Sequence, residues 1–308
     1  MTLSPSAFAY VADLVRREAA IVLEPGKEYL VEARLHPLAR AAGLADVSAY
    51  VAHLQSPAGR VQQAAVVEAL TTNETSWFRD REPFDVLVSH VIPDLLARTA
   101  TRRKITIWSA ACSSGQEAYT IAMLMAEHVV PKGWQVEIVA TDIAPSMVQR
   151  TQEGRYSQLE VGRGLPAPLM VKHFQRAGTQ WQVSDQLRSM VRAQTLNLAA
   201  PFPLMPVFDL VFLRNVLIYF DQPTKQSVLS RVRRVMSPDG YLFLGGAETT
   251  LGVDETWHRT AVGRLTLNRP RPQADAPATG PDLSSLAPRP FAGAPLTSTL
   301  LSTTQRAN

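Results

Sequence analysis

The sequence predicts an α/β protein: a doubly wound parallel-sheet domain with a small antiparallel β-insertion, preceded by a small all-α N-terminal domain. Three observations predict it. Residues Lys104 to Thr120, KITIWSAACSSGQEAYT, join a short apolar, β-prone run to a helix through a turn of small residues ended by Gly115. Gln135 to Ala140 (QVEIVA) and Phe208 to Leu213 (FDLVFL) read as further buried strands, followed by Asp142 and by Arg214 and Asn215. Residues 3 to 70 instead carry apolar residues at helical spacing.

The N-terminal region holds four apolar faces. Phe8, Val11, Ala12, Leu14 and Val15 make the first, and Tyr29, Leu30, Ala33, Leu35, Leu38 and Ala39 the second. Tyr50, Val51 and Leu54 make the third, and Val61 to Leu70 the fourth, with Gly26, Gly43 and Pro57 as punctuation. Arg34 and Arg40 are offset by Glu28 and Glu32 and are expected on a solvated face. Thr71 to Asp80, TTNETSWFRD, then sets Trp77 and Phe78 among Asn73, Thr75 and Arg79. That density of hydrogen-bonding and aromatic groups suits a site, or a domain-linking turn. Phe84 to Leu96 reads as a helix leading into the first strand.

Of the alternate small positions 111, 113 and 115, only 115 is glycine, so the Gly-rich dinucleotide fingerprint is absent and a nicotinamide-dependent oxidoreductase is disfavoured. The turn still lets a ligand approach the start of the following helix. Asp142 stands where an acid accepts hydrogen bonds from ribose hydroxyls in this fold. Beyond it, Ser146 to Gln152 reads as a helix, 154 to 170 as a Gly/Pro-rich loop, and 172 to 196 as the antiparallel insertion. A helix is expected over Pro223 to Met236, a turn at Pro238-Asp239-Gly240, and strands at Tyr241 to Leu244 and Gly263 to Leu267. The expected divisions are 1–70, helical; 71–100, linker and lead-in helix; 101–268, α/β domain including 172–196; and 269–308, a disordered tail rich in Pro, Ala, Ser and Thr.

With 308 residues, 46% hydrophobic and net charge +4, the chain suits one large or two modest domains with a real core. Lys and Arg number 31 against 27 acids, and no dense basic run interleaves with aromatics, so no nucleic-acid partner is expected. The single cysteine, Cys112, excludes an internal disulfide and reads as a small buried filler. Six histidines without close pairing predict no metal. Asp13, Arg16, Arg17 and Glu18 stand where a signal peptide would be apolar, and no run is long enough to span a bilayer. A cytoplasmic monomer without membrane insertion is expected.

Four segments together resemble the chemotaxis receptor methyltransferases, the CheR family: TTNETSWFR, WSAACSSGQEAYTIAM, the step Ala140-Thr141-Asp142-Ile143, and FLRNVLIYF. The likeness covers roughly residues 5 to 268, in order and spacing, and the helical region resembles that family's N-terminal domain. It implies a Rossmann-like S-adenosylmethionine methyltransferase domain, with S-adenosylhomocysteine as product. The implied methyl acceptors are glutamate side chains on chemoreceptor cytoplasmic domains. By position, Asn73, Thr75, Arg79, Glu117, Asp142, Asn197, Leu198, Arg214 and Asn215 match residues that contact the cofactor. Tyr219 matches the tyrosine that, with Arg79, lies near the transferring methyl. Gln116 replaces a frequent glutamate and Ala118 a frequent proline, but Glu117 is retained. The insertion resembles a β-subdomain that in some members docks a receptor tether peptide through a Gly-rich loop. The loop here, Ala177-Gly178-Thr179, is short with one glycine, which favours a member that needs no tether.

The implied chemistry needs no general base. A glutamate, with a reference pKa of about 4.3, is already ionised near neutrality. Positioning and electrostatics then carry the rate, so the lack of a His/Asp or Ser/His pair does not count against an enzyme. The competing reading is a non-catalytic S-adenosylmethionine-binding scaffold or sensor of a chemosensory array, which the presence of both Arg79 and Tyr219 disfavours.

Overall fold

The computed structural model describes residues 3–271; the tail expected to be disordered lies, from 272 onward, outside the described residues. The N-terminal helices are α1 (Pro5–Ala19), α2 (Glu28–Ala41), α3 (Val47–Leu54) and α4 (Gln63–Leu70). Ser4 caps α1 by accepting from the Ala7 amide, and Asp46 caps α3 by accepting from the Ala49 amide at 2.8 Å. Val11, Leu14 and Val15 of α1 meet Val31 and Leu35 of α2, Tyr50 and Leu54 of α3, and Val66 of α4 in one core. The second face is narrower than its sequence suggests. Val31, Leu35 and Ala39, at strict i, i+4 spacing, form the buried stripe, while Tyr29 is 69% exposed. Val61 is also exposed, in a 3-10 turn (Arg60–Gln62) ahead of α4. Arg34 departs from the expected solvated face. Its guanidinium donates to the carbonyls of Leu70 and Thr71 at 2.9 and 2.8 Å, closing the end of α4 where carbonyls lack helical partners.

The lead-in helix runs as α5 (Glu82–Val86), a five-residue π turn (Leu87–Val91) and α6 (Ile92–Arg98). The α/β domain follows: β1 (Lys104–Ala110), α7 (Gln116–His128), β2 (Gln135–Asp142), α8 (Pro145–Glu153), β3 (Arg155–Ser157), α9 (Gln158–Gly162), α10 (Ala167–His173), β4 (Phe174–Ala177), β5 (Gln180–Val183), α11 (Asp185–Met190), β6 (Val191–Thr195), β7 (Phe208–Leu213), α12 (Gln222–Arg234), β8 (Met236–Leu244), β9 (Trp257–Val262) and β10 (Leu265–Pro270).

Seven strands form the main sheet in the order β6-β2-β1-β7-β8-β10-β9, parallel from β6 to β8 and closed by the antiparallel hairpin β9–β10. The apolar runs fill both faces with a period of two. Ile105 and Ile107 of β1 enter one core, whereas Trp108 and Ala110 enter the other. The order reverses between β1 and β7, so the loops after these strands diverge and leave a crevice at the carboxyl edge.

Several elements differ from expectation. The stretch 154–170 is not a loop but holds β3, α9 and the start of α10. Its glycines and prolines mark element ends: Gly154, at φ +59°, stops α8, and Pro166 precedes α10. Ser157 and Glu160 form a reciprocal capping box on α9. The antiparallel insertion is β3-β5-β4, spanning 155–183, so it starts earlier than expected, whereas β6 pairs in parallel with β2 in the main sheet. Pro238-Asp239-Gly240 does not reverse the chain; it is an irregularity within β8, opposite Phe208–Leu210. Gly263, at φ +63°, turns the hairpin, so the expected Gly263–Leu267 strand begins later and β9 precedes it. Among the described residues, no helix is long and apolar enough to cross a membrane.

Candidate active site

A crevice of about 880 Å³, counting its open mouth, lies across the carboxyl ends of β1, β2 and β7. All ten residues named from the family resemblance line it: Asn73, Thr75, Arg79, Glu117, Asp142, Asn197, Leu198, Arg214, Asn215 and Tyr219.

The floor is the turn after β1. Ala111, Ser113 and Gly115 all sit in the left-handed region, at φ +56°, +51° and +92°. Two non-glycine residues thus hold a conformation costly for L-residues, of the kind concentrated at functional sites. Only glycine fits position 115, because a Cβ there would lie 2.8 Å from Thr151 Oγ1 and 3.0 Å from the Tyr156 hydroxyl. Cys112 is buried as expected, and desolvation pushes its thiol well above the ordinary range, so it is a filler and not a nucleophile. The Ser113 amide donates to Asp142 Oδ2 at 2.8 Å, and its hydroxyl donates to the Asn73 carbonyl at 2.6 Å. Asp142 Oδ1 accepts from the Ala144 amide at 3.0 Å. The carboxylate is therefore aimed by backbone, and its remaining lone pairs can accept hydroxyls.

The opposite wall is a charge network. Glu117, in the first turn of α7, accepts from Ser109 Oγ at 2.8 Å and from Arg214 at 3.0 Å. The Arg214 guanidinium also donates to the Arg79 carbonyl at 3.0 Å and to Asp80 Oδ2 at 2.7 Å, and it covers the Phe84 ring at 5.5 Å. The residue at the end of β7 thus fixes the segment that carries Arg79. Trp77 anchors that segment from the other side, edge-on to Tyr156 at 4.9 Å and Phe174 at 5.3 Å. Phe78, Asp80 and Arg81 all have left-handed φ, so this run is locked in a tight shape by its anchors.

Asn197 does more structural work than its sequence position suggests. Its amide nitrogen donates to the Glu18 carbonyl at 2.6 Å, and its oxygen accepts from the Ala199 amide at 2.9 Å. Both ends of the side chain therefore tie α1 to the loop after β6. Tyr219 ends a 3-10 turn (Leu217–Tyr219). Its carbonyl accepts from the Val22 amide at 2.9 Å, Ile21 bridges Phe220, and Arg16 pairs with Asp221 at 2.9 Å. The helical domain thus closes one side of the crevice. Glu248, which received no role from the sequence, binds the backbone of the Asn215–Leu217 turn. Its only signal is an acid just beyond Gly245-Gly246 at the end of a strand.

Burial pushes the Glu117 carboxyl above its ordinary value, against the pull of Arg214, Ser109 and Arg79. Burial also raises Asp142, against the backbone amides of Ala144, Ser113 and Ile143. Each contributes stability fully present below its unfolded value, about 4.3 for Glu and about 3.9 for Asp, and lost as pH rises through the higher folded value. Glu117→Gln removes one of the two contributions. On acidification from neutrality to about pH 4, wild type is expected to gain stability relative to the variant. Denaturant unfolding at both pH values checks this, and a constant gap would contradict it.

The donor set fits a nucleoside with a charged amino-acid end. Asp142 offers acceptors to hydroxyls, Leu198 and Ile143 an apolar flank, and Glu117 and Arg79 opposite charges. Together with a doubly wound sheet whose last strands form an antiparallel hairpin, these features define an S-adenosylmethionine-dependent methyltransferase. Within that class the chain belongs to the CheR family. Residues 73–264 match the CheR methyltransferase SAM-binding domain, and residues 6–71 match the CheR methyltransferase all-alpha domain. It is 40% identical over 239 residues to chemotaxis protein methyltransferase 1 of Pseudomonas aeruginosa, covering 76% of this chain and 86% of that protein. It is 38% identical over 259 residues to the chemotaxis protein methyltransferase of Vibrio parahaemolyticus, covering 83% and 93%. The Borreliella burgdorferi chemotaxis protein methyltransferase is 34% identical over 245 residues, covering 78% and 86%.

Proposed function

We propose that this chain transfers the methyl group of S-adenosylmethionine to glutamate side-chain carboxylates in the cytoplasmic domains of chemoreceptors. The products are glutamate methyl esters and S-adenosylhomocysteine, and the change in receptor charge tunes adaptation. The supporting observation is the convergence of five separate segments, each carrying one or more of the ten residues, on one crevice with Arg79 and Tyr219 in its walls.

In this reading the cofactor supplies an electrophilic methyl on a sulfonium. The chain's residues bind, orient and desolvate. Asp142 accepts hydrogen bonds from the ribose, Glu117 serves the cofactor's ammonium, and Leu198 flanks the base. Asn73, Thr75, Asn197, Arg214 and Asn215 complete the cofactor site. Arg79 holds a carboxylate, the cofactor's or the acceptor's, by charge-assisted hydrogen bonds. The Tyr219 hydroxyl fixes an acceptor oxygen in line. No proton needs to be removed, since the acceptor is already an anion. The protein acts in the cytoplasm as a monomer, and the short Ala177-Gly178-Thr179 hairpin favours receptors without a tether peptide.

The test is transfer of labelled methyl from S-adenosylmethionine to a panel of purified receptor cytoplasmic fragments. The expected result is base-labile label mapping to glutamates. Cofactor binding with no labelled receptor carboxylate would instead favour the scaffold reading.

A further inference from the structure

Beyond β8 the chain reads Gly245-Gly246-Ala247-Glu248, and the Glu248 carboxylate turns back to the carboxyl edge of the sheet. It accepts from four backbone amides. Oε2 takes Gly245 at 2.7 Å and Asn215 at 2.8 Å; Oε1 takes Val216 at 2.8 Å and Leu217 at 2.7 Å. Three of these donors are consecutive residues of the turn that follows β7. The turn leaves Arg214, passes through Asn215 at φ +57°, and ends in the 3-10 turn that carries Tyr219. Glu248 is itself absent from the crevice lining, so it acts only through what it holds. Its approach depends on a glycine: a Cβ at position 245 would lie 2.7 Å from Glu248 Oε2 and 2.9 Å from the Asn215 amide.

We propose that Glu248 is a positioning residue, gathering the amides beyond β7 and β8 so that one turn presents Arg214, Asn215 and Tyr219 to cofactor and acceptor. A carboxylate suits this task better than an amide. It accepts on both oxygens, and ionised acceptors form the stronger hydrogen bonds. Glutamine has nearly the same shape but sets its NH2 group against two of the four donors. The Tyr219 part rests on the proposed methyl transfer to receptor glutamates; the cofactor part rests only on the proposed placement of Arg214 and Asn215 at the cofactor.

The experiment titrates S-adenosylhomocysteine into the full chain by calorimetry, which needs no receptor. Glu248→Gln is expected to weaken binding about tenfold or more. Gly245→Ala, which keeps the carboxylate and displaces it, is expected to act in the same direction and decides the matter if Glu248→Gln does not fold. Binding within about twofold of wild type in the folded variants overturns the proposal, however far the melting temperature moves. With a methylatable receptor fragment, Glu248→Gln combined with Tyr219→Phe is expected to lower kcat by less than the product of the single losses. A full product would show that Glu248 does not act through Tyr219. Failure of the receptor assay alone leaves the calorimetric result standing.

Discussion

Arg214→Met is expected to cost about 3–5 kcal/mol of stability, more than any other single substitution in the crevice walls. The side chain is 1% exposed and pairs with Glu117, whose side chain is only 13% exposed, and with Asp80 at the protein surface. Removing the cation strands the Glu117 carboxylate in a buried site and frees the Arg79 carbonyl that the guanidinium holds. The Asp80 contact adds little, because that partner is half in solvent. Denaturant unfolding measures the loss. Adding Glu117→Gln to Arg214→Met is expected to recover much of it, because the stranded charge is then gone. Equal stability of the single and double variants would show that the pair is not the source.

Tyr219→Phe is expected to lower kcat about a hundredfold while S-adenosylhomocysteine affinity stays within about threefold. The ring is only partly buried, and its backbone, not its hydroxyl, holds the helical domain through Val22. Loss of the hydroxyl is therefore expected to leave the fold intact and to remove only the group proposed to orient the acceptor. Steady-state kinetics with a receptor fragment, paired with calorimetry, separates the two quantities. An unchanged kcat would remove Tyr219 from the chemistry and leave Arg79 to position the acceptor alone.

Much of this architecture is legible in the amino-acid order. Strands buried on both faces need runs rich in apolar residues, which is why 105–108 and 208–213 stand out. At strand ends a polar residue beside an apolar run is conspicuous, which marks Asp142, Arg214 and Asn215. Asn73, Thr75 and Arg79 stand out in a run dense in hydrogen-bonding and aromatic groups, and Glu117, Asn197, Leu198 and Tyr219 are marked only by the resemblance to the CheR family. Other features depend on pairings that no local pattern encodes. The alternation in 191–195 fits an insertion strand as well as a parallel edge strand, and only the partner, β2, decides. The glycines and prolines of 154–170 suggest a loop but cap short elements. Nothing local marks Arg34 as the closure of α4, since its acceptors lie 36 and 37 residues away. Glu248 escapes notice for the same reason: its four amides come from two separate strand ends.

The most direct test is calorimetric titration of S-adenosylmethionine and of S-adenosylhomocysteine into wild type and Asp142→Ala. Both nucleosides are expected to bind wild type with a stoichiometry of about one, and the substitution, which removes the proposed ribose acceptor, is expected to weaken both at least tenfold. No heat with wild type, or equal affinity in the variant, would contradict the placement of the cofactor across the ends of β1, β2 and β7.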